Sequence, residues 1–396
     1  MRLRFLCFIT GGYFVEAAVA VRDRFIFVND DLESIIRTSE GNTLLSGLAE
    51  NGIYLPSACG GRGICGTCKC VVTEGGGTIS PVEQRHIVET ERKNLFRLAC
   101  QIKVTENLKI NLPDQVLSIK KYSATVISND NVTPFIKELI LKLDNEKELN
   151  FKSGAYIQID IPGFEISFRE FSVDGRFRES WDRVNLWSLK ASSEEPLFRA
   201  YSLANPPYEK NVLRFTIRIA TPPAGKKEIS PGISSSYIFS LKPGDNVTLT
   251  GPYGDFFIKN TDREMCFIGG GAGMAPMHSH ILDQLLNVKT RRKMTFWYGA
   301  RSKQDVFYAD EFSALEKKFS NFKYHVALSE PQQEEKWEGM TGFIHQCLHD
   351  NYLVSHNNPS EIEYYLCGPP MMINIAVKMI EGFGVNTDMI AYDKFG

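Results

Sequence analysis

Four cysteines in the first third of the chain have the type and spacing of iron ligands. Cys59, Cys65 and Cys68 lie in one short segment, SACGGRGICGTC, and Cys100 follows in RLACQ. The gaps between them are five, two and thirty-one residues. A [2Fe–2S] cluster needs four thiolates that converge on one small object. The spacing therefore predicts that these cysteines bind a [2Fe–2S] cluster and that the protein transfers single electrons.

Glycines separate the clustered cysteines. Gly60, Gly61, Gly63 and Gly66 permit the positive φ angles of a tight loop. They also let backbone N–H groups point at the cluster sulfurs. A zinc site is the alternative for four cysteines, but zinc loops rarely combine so many glycines with a first gap of five residues. Plant-type ferredoxins have four residues in that gap, so we assign this loop to another branch.

A second group of residues has chemistry that suits a flavin. The segment RAYS places Arg199, Tyr201 and Ser202 at the end of an expected strand. A flavin site needs a cation near the pyrophosphate, an aromatic ring on the isoalloxazine and a hydroxyl near the reactive ring nitrogen. We predict that the three residues have these roles in that order, with Ser202 as a candidate catalytic residue. Alone, the R-x-Y-S pattern also fits an ordinary strand.

Two later segments support the flavin interpretation. RIAT contains Arg218 and Thr221, and PGISSSY contains Gly232, Ser235 and Ser236. The glycine and the serines are expected to open a helix whose free N–H groups face the phosphates. All five residues are therefore predicted to bind FAD.

A glycine-rich turn later in the chain predicts a nicotinamide site. FIGGGAGMAP follows a predicted strand and opens a predicted helix, which is the context of a phosphate-binding turn. Glycine also serves packing in such turns, so the pattern alone is a weak signal. The predicted binding residues are Gly269, Gly270, Gly271 and Gly273.

The segment CGPPMM completes the nicotinamide prediction. It ends a later strand, and the strands of a parallel sheet end at one crevice. Cys367, Gly368 and Pro369 are therefore expected to meet the glycine turn there. We predict that Cys367 approaches the nicotinamide and the flavin as a second candidate catalytic residue. A buried cysteine before a turn is the alternative.

Three further residues keep alternatives open. Phe395, the penultimate residue, could stack on the flavin until the nicotinamide displaces it, or have no such role. Arg301 and Lys303 follow a predicted strand and could bind a 2′-phosphate, which would favour NADP, or be surface charges. The residues alone do not decide between NADH and NADPH.

The composition sets the frame for these sites. A chain of 396 residues is too long for one core, and 43% apolar with 23% charged residues is typical of globular domains. With 45 basic and 47 acidic residues, the net charge of −2 argues against nucleic-acid binding. Nine cysteines, four of them with metal-site spacing, indicate a reducing compartment rather than a disulfide framework.

The pattern of elements predicts a multidomain protein of the α+β and α/β classes. Residues 23–115 are expected to form a β-grasp [2Fe–2S] domain with a short helix at 43–51. Residues 122–258, rich in β-branched residues, predict an antiparallel β-barrel for FAD, with an insertion at about 163–196. Residues 259–396 alternate strands with helices and predict a parallel α/β nicotinamide domain.

The first 22 residues leave several interpretations open. Phe5 to Val21 is mostly apolar but short, interrupted by Gly11-Gly12, and contains Glu16. A membrane span needs about 20 apolar residues, and an acidic residue inside it is costly. The segment is therefore a possible degenerate membrane anchor, a buried or frayed segment, or the product of a misplaced start.

From about Arg24 onward the chain resembles the F subunits of bacterial Na+-translocating NADH:quinone oxidoreductases. The resemblance rests on long motifs and on the order of the three predicted domains. The insertion that ends in WDRVNL also resembles this family, whereas oxygenase reductases share the domain order but usually lack it. The matching motifs are SACGGRGICGTC, VISNDN, FIKEL, RAYSLAN, RIATPP, GPYGDFF, FIGGGAGMAPM, WYGARSK, ALSEPQ and YYLCGPPMM.

The resemblance implies an electron-input subunit that takes hydride from NADH on FAD and passes single electrons through the cluster. It implies other subunits of a membrane complex as partners, quinone reduction coupled to sodium export by that complex, and a location at the bacterial inner membrane with catalytic domains on the cytoplasmic side. Members usually have a clear N-terminal membrane helix, so the poor apolar segment here puts self-anchoring in doubt. The alternatives are a soluble NAD(P)H-dependent reductase of an oxygenase system and a non-enzymatic redox-sensing or electron-docking module.

Overall fold

The structure, a computed structural model, describes residues 3–10, 13–20, 22–31, 34–145, 148–223, 226 and 229–394. The chain divides into two compact units, Met1–Lys121 and Tyr122–Gly396. Phe395, with its predicted stacking role, lies outside the described residues.

The N-terminal segment forms a β-hairpin in its described part. Strands Leu3–Thr10 and Tyr13–Ala20 pair antiparallel, with Leu3 opposite Ala20 and Thr10 opposite Tyr13. Among the described residues, we find no helix with the length and apolar character that a membrane crossing requires.

The rest of the first unit has the predicted β-grasp outline, a mixed five-stranded sheet beside a short helix. Strands Asp23–Val28 and Leu108–Asn111 run parallel, and the other neighbours run antiparallel. In spatial order the strands are Ile35–Ser39, Asp23–Val28, Leu108–Asn111, Lys69–Glu74 and Phe96–Leu98. The helices are Leu44–Glu50, Pro81–Gln84, Glu89–Lys93 and Asp114–Leu117.

The helix Leu44–Glu50 confirms its sequence prediction. Thr43 caps its N-terminus, because the Thr43 hydroxyl accepts a hydrogen bond from the backbone N–H of Ser46 at 3.1 Å. Its side chains Leu44 and Leu48 are fully buried in the core of this unit.

The second unit begins with an antiparallel sheet that closes on itself. The chain just after one edge strand donates from the Ala204 N–H to the Arg214 carbonyl on the other edge strand, at 2.7 Å. This bond joins the two edges and gives the predicted barrel. In spatial order the strands are Leu197–Ser202, Tyr156–Ile161, Asn246–Tyr253, Lys120–Thr133, Ile136–Leu143 and Val212–Arg218. The helix Ile233–Ser240 packs beside them.

The segment between two of these strands forms a small two-stranded sheet with its own aromatic cluster. Strands Phe164–Ser167 and Lys190–Ser193 pair antiparallel and flank the helix Arg178–Arg183. Trp181 is fully buried in this cluster and donates from its indole N–H to the Pro134 carbonyl at 2.6 Å. This bond fixes the segment to the barrel.

The C-terminal part is a six-stranded parallel sheet, as predicted. Met265–Gly270 is the first strand of this sheet along the chain, and later strands are added on one side of it and then on the other. At such a change of direction, a ligand crevice opens at the carboxyl ends of the strands. In spatial order the strands are Met340–Thr341, Phe322–Leu328, Met294–Ala300, Met265–Gly270, Glu363–Gly368 and Ile390–Lys394. The α-helices are Met274–Leu282, Ala309–Lys318, Ile344–Leu348 and Pro370–Glu381, and the first and third continue as π-turns at Asp283–Asn287 and His349–Leu353.

Candidate redox sites

The four predicted iron ligands come together as two pairs of thiols. Cys65 Sγ donates to Cys59 Sγ at 3.3 Å and holds the pKa of Cys59 below its ordinary value. The Cys68 thiol acts in the same way on Cys100 and lowers its pKa. Within the described ranges, no group of three or more His, Cys, Asp or Glu side chains could hold a single metal ion. A [2Fe–2S] cluster binds four thiolates, two on each iron. The two pairs of thiols fit this donor set.

The loop around these thiols requires its glycines. Gly60, Gly61, Gly63 and Gly66 have φ angles of 65°, 83°, 72° and 70°, a region that other residues rarely adopt. A Cβ on Gly66 would lie 2.8 Å from the ring of His86. The His86 Nε2 in turn lies 3.1 Å from the Gly63 carbonyl, so this ring fixes the loop from outside.

A buried ion pair fixes the segment before Cys100. Arg97 Nε donates to Glu83 Oε1 at 2.8 Å, and the Glu83 side chain is fully buried. Arg97 also donates to the backbone carbonyls of Gly76, Gly77 and Thr78 at 2.6, 3.0 and 3.1 Å. One guanidinium therefore joins the strand that leads to Cys100 to the segment that precedes helix Pro81–Gln84.

The predicted flavin helix is Ile233–Ser240, with Gly232 as its N-cap. The hydroxyls of Ser235 and Ser236 both donate to the Gly232 carbonyl, at 3.1 and 2.8 Å. Ser235 also accepts from the Ala220 N–H at 3.0 Å. These side chains thus organise the helix start, while backbone N–H groups of its first turn remain suited to an anion.

The buried C-terminus of this helix is capped from the barrel. Asn129 donates to the carbonyls of Ile238 and Leu241 at 2.7 and 2.9 Å. Lys137, which is 1% exposed, donates to the Phe239 carbonyl at 3.2 Å. Burial lowers the pKa of Lys137 to about 8. Both donors satisfy carbonyls that a helix end leaves free.

Arg199, Tyr201 and Ser202 lie on strand Leu197–Ser202, as the sequence predicts. Burial raises the pKa of Tyr201, and the Arg199 charge opposes that shift. Ser202 is 5% exposed and is the last residue of the strand. Placed in this way, the three residues could serve a bound flavin with charge, stacking and a hydroxyl.

Arg218 is the final residue of barrel strand Val212–Arg218, and Thr221 follows shortly after it. Burial, and then the like charge of Arg301, lower the pKa of Arg218. The Asp305 carboxylate opposes this shift of the Arg218 pKa. Two neighbouring cations could also attract the phosphate of a bound ligand.

The predicted nicotinamide residues lie at the C-terminal edge of the parallel sheet. Gly269 and Gly270 end their strand, Gly271 has a φ of 55°, and the helix follows Gly273 directly. A Cβ on Gly273 would lie 2.2 Å from the Cys367 carbonyl oxygen, so only glycine fits there. The turn is a cradle whose backbone a dinucleotide pyrophosphate can approach closely.

Cys367, Gly368 and Pro369 end the neighbouring strand and begin the next helix. Cys367 is fully buried and pairs in register with Gly269, so the structure brings the two halves of the nicotinamide prediction together. Burial raises the pKa of the Cys367 thiol well above its ordinary value, which keeps it protonated.

Asp393 is a residue that the sequence reasoning missed. It lies on the last strand, opposite Cys367 in register, and its Oδ2 accepts a hydrogen bond from the Ser202 hydroxyl at 3.1 Å. Burial raises the pKa of Asp393. Because the C-terminal strand was not predicted, no local signal could have connected Asp393 with Ser202. The candidate flavin and nicotinamide residues thus meet at Ser202, Cys367 and Asp393.

Comparisons with known proteins find three cofactor-binding domains in the predicted order. The chain matches the "2Fe-2S iron-sulfur cluster binding domain" family over residues 26–105. It matches the "Oxidoreductase FAD-binding domain" over 186–258 and the "Oxidoreductase NAD-binding domain" over 267–378. The fold and sites therefore define an iron–sulfur flavoprotein oxidoreductase that uses a nicotinamide dinucleotide.

The relatives narrow this class to one family. The chain is 50% identical to the F subunit of the Na(+)-translocating NADH-quinone reductase of Serratia proteamaculans, over 94% of this chain and 92% of that protein. It is 48% identical to its counterpart in Neisseria gonorrhoeae, over 96% and 93%. The chain belongs to the family of Na(+)-translocating NADH-quinone reductase F subunits.

Solved structures share the fold at lower identity. The Amycolatopsis cytochrome P450 reductase GcoB has a TM-score of 0.66 and 23% identity, covering 94% of this chain and 98% of that one. A ferredoxin reductase in carbazole 1,9a-dioxygenase has a TM-score of 0.63 and 25% identity, covering 96% and 100%.

Proposed function

We propose that this chain is the electron-input component of a Na+-translocating NADH:quinone reductase. It takes electrons from NADH and delivers them singly to other subunits of the membrane complex, which reduce quinone and export sodium. Its catalytic domains face the cytoplasm at the bacterial inner membrane. The names of its relatives, which span more than nine tenths of this chain, support the donor, the quinone and the complex.

One contact carries the proposal for hydride transfer. Ser202, on the strand of the candidate flavin site, donates to Asp393, which lies in register with Cys367 of the candidate nicotinamide site. Bound FAD would supply an acceptor for the hydride of NADH, and a bound [2Fe–2S] cluster would supply a carrier of single electrons.

The side chains of the candidate sites position the cofactors and exclude water from them. Ser202 and Cys367 are 5% and 0% exposed, so a nicotinamide that reaches them enters a site with little solvent. The predicted holders of FAD are Arg199, Tyr201, Ser202, Arg218, Thr221, Gly232, Ser235 and Ser236. Cys59, Cys65, Cys68 and Cys100 would hold the cluster. Hydride transfer needs positioning rather than a protein acid or base.

Anaerobic mixing of the purified, FAD-loaded full-length chain with NADH tests the enzymatic part. Bleaching of the flavin absorbance is expected, and its absence would leave only a redox-sensing or electron-docking role. The matched variant Ser202→Ala should slow the bleaching more than it weakens FAD binding. Unchanged bleaching would argue against the role of Ser202.

A second assay separates the membrane complex from the oxygenase alternative. In membranes from cells that lack this chain, sodium-stimulated reduction of quinone by NADH should be lost and should return with the chain. An unaffected activity, together with electron delivery to a soluble hydroxylase, would instead favour the oxygenase reductase whose fold this chain shares.

A further inference from the structure

Two side chains beside the candidate cluster ligands make hydrogen bonds with ligand sulfurs. The Gln101 Nε2 lies 3.3 Å from Cys100 Sγ, and the Thr67 Oγ1 lies 3.0 Å from Cys65 Sγ. The two bonds serve different halves of the site, because Cys65 belongs to one thiol pair and Cys100 to the other. Each pair of candidate ligands therefore has an uncharged polar side chain at one of its sulfurs.

The direction of both bonds is fixed once the cysteines bind iron. A ligand cysteine is a thiolate, which has no proton and can only accept a hydrogen bond. The Thr67 hydroxyl must then donate to Cys65. The amide of Gln101 has its donors on nitrogen, so the nitrogen must face Cys100, as it does in the structure.

The Thr67 hydroxyl is oriented by its other neighbours. Its oxygen accepts from the Ala58 N–H at 3.2 Å, so its single proton points elsewhere. The Pro56 carbonyl is an alternative acceptor but lies 3.4 Å away, farther than the Cys65 sulfur. A negatively charged acceptor also makes the stronger hydrogen bond. The Cys65 thiolate is therefore the preferred partner of this proton.

The amide of Gln101 occupies a space that the cluster loop leaves open for it. A Cβ on Gly63 would lie 2.7 Å from the Gln101 Nε2 and 2.8 Å from Val82, so a side chain there would displace the amide. The Gly63 carbonyl lies 3.1 Å from the His86 Nε2, and this contact fixes the loop at that point. Cys100 is 7% exposed, so water competes little for its sulfur. The packing of the loop therefore holds the amide against the Cys100 sulfur.

Hydrogen-bond donors at the sulfurs change the free energies of the two redox states unequally. Reduction by one electron adds negative charge to the cluster and its thiolates, so a hydrogen bond to sulfur stabilises the reduced state more than the oxidised state. Hydrogen bonds to the sulfurs are among the factors that set the potential of such clusters. Because both side chains are uncharged, they exert this effect without changing the net charge of the site.

We propose that the side-chain hydrogen bonds from Gln101 and Thr67 raise the reduction potential of the [2Fe–2S] cluster, which makes the cluster a better acceptor of the electrons that enter from NADH. The proposal rests on the proposed function, because it concerns the cluster that the four cysteines would hold. It goes beyond that function by assigning a role to two residues that bind neither iron nor a dinucleotide.

Potentiometric titration of the cluster-loaded, full-length protein, followed by the EPR signal of the reduced cluster, tests the proposal. Gln101→Met keeps the length of the side chain and Thr67→Val keeps its shape, but each removes the donor. Each variant should lower the equilibrium constant for one-electron reduction about threefold, a potential about 28 mV more negative, since about 59 mV corresponds to a factor of ten. Because the two bonds reach different sulfurs, the double variant should show a decrease of about ninefold.

Two controls separate the hydrogen bonds from packing. Thr67→Ser keeps the hydroxyl and should keep the potential of the unmodified protein. Gln84→Met makes the matched replacement at an exposed glutamine on helix Pro81–Gln84 and should also leave the potential unchanged. The proposal is overturned if Gln101→Met and Thr67→Val keep the unmodified potential, or if Thr67→Ser shifts the potential as much as Thr67→Val does.

A second measurement applies even if one variant fails to assemble the cluster. Resonance Raman spectra of the oxidised protein in H2O and D2O should differ in the iron–cysteine stretching bands, because deuterium replaces the hydrogen in both bonds. The difference should be smaller in each variant that lacks a donor. Identical spectra of the unmodified protein in the two solvents would refute the proposal.

Failure of the proposed function looks different from failure of this proposal. In that case the flavin would not bleach with NADH, whereas the cluster could still be reduced with dithionite and its potential measured in every variant.

Discussion

Replacement of Asp393 by asparagine tests the junction of the flavin and nicotinamide sites. Asp393 accepts from the Ser202 hydroxyl at 3.1 Å and lies in register with Cys367. Hydrogen bonds to charged groups contribute about 1.5–3 kcal/mol, against about 0.5–1.5 kcal/mol for neutral pairs. Asp393→Asn keeps the shape but removes the charge, so Ser202 should lose about 1–1.5 kcal/mol of orientation energy.

At about 1.4 kcal/mol for each factor of ten, this loss corresponds to flavin reduction about tenfold slower. Anaerobic stopped-flow mixing with saturating NADH measures that rate, and the FAD content should not change. Asp388→Asn is the matched control, because Asp388 is exposed in the same C-terminal segment. An Asp393→Asn rate within twofold of the unmodified protein would refute the reasoning.

The pH dependence gives the same prediction a second readout. Because burial raises the pKa of Asp393, its carboxylate is protonated at a higher pH than an ordinary aspartate, which titrates near 3.9. The Asp393 charge is therefore present above the raised pKa and is lost as pH falls. The reduction rate should decrease toward acid pH, and Asp393→Asn should abolish that decrease. Its persistence in the variant would assign it to another group.

Three further predictions concern the cluster loop and the glycine turn. Cys65→Ala should abolish the EPR signal of the reduced cluster while FAD remains bound, and a surviving signal would contradict the ligand assignment. Arg97→Met leaves Glu83 buried without its partner, so the free energy of unfolding of the first unit should fall by about 3–5 kcal/mol in urea titrations, more than for a double replacement of both residues. Gly273→Ala places a Cβ against the Cys367 carbonyl and should raise the KM for NADH at least about tenfold in steady-state assays, whereas an unchanged KM would show that the turn can relax.

Local patterns were sufficient for much of the fold. The strand Met265–Gly270 and its glycine turn were predicted correctly, because a buried strand that ends in glycine before a helix is a short-range signal. The spacing of the four cysteines likewise led to two thiol pairs in the structure. The glycine turn lies within one segment, and the cluster prediction depends on the type and spacing of four cysteines. Neither prediction requires knowledge of how distant strands pair.

Long-range pairing was beyond the sequence patterns. Ser202 and Asp393 are 191 residues apart, and they meet only because the barrel packs against the parallel sheet. The two N-terminal strands, Leu3–Thr10 and Tyr13–Ala20, form one interrupted apolar run in the sequence. A run of that length fits a hairpin as well as a short helix, so its pattern alone could not predict the hairpin. Which face a strand presents, and to which partner, is decided by tertiary packing.

His278 shows the same limit for a single side chain. His278 and His280 lie two positions apart in the apolar segment MAPMHSHIL. His280 is fully buried, and burial lowers its pKa to about 3. His278 differs only through Ala204 and Glu311, acceptors from two other elements. The hydrogen bonds of His278 therefore follow from tertiary contacts and not from its sequence neighbours.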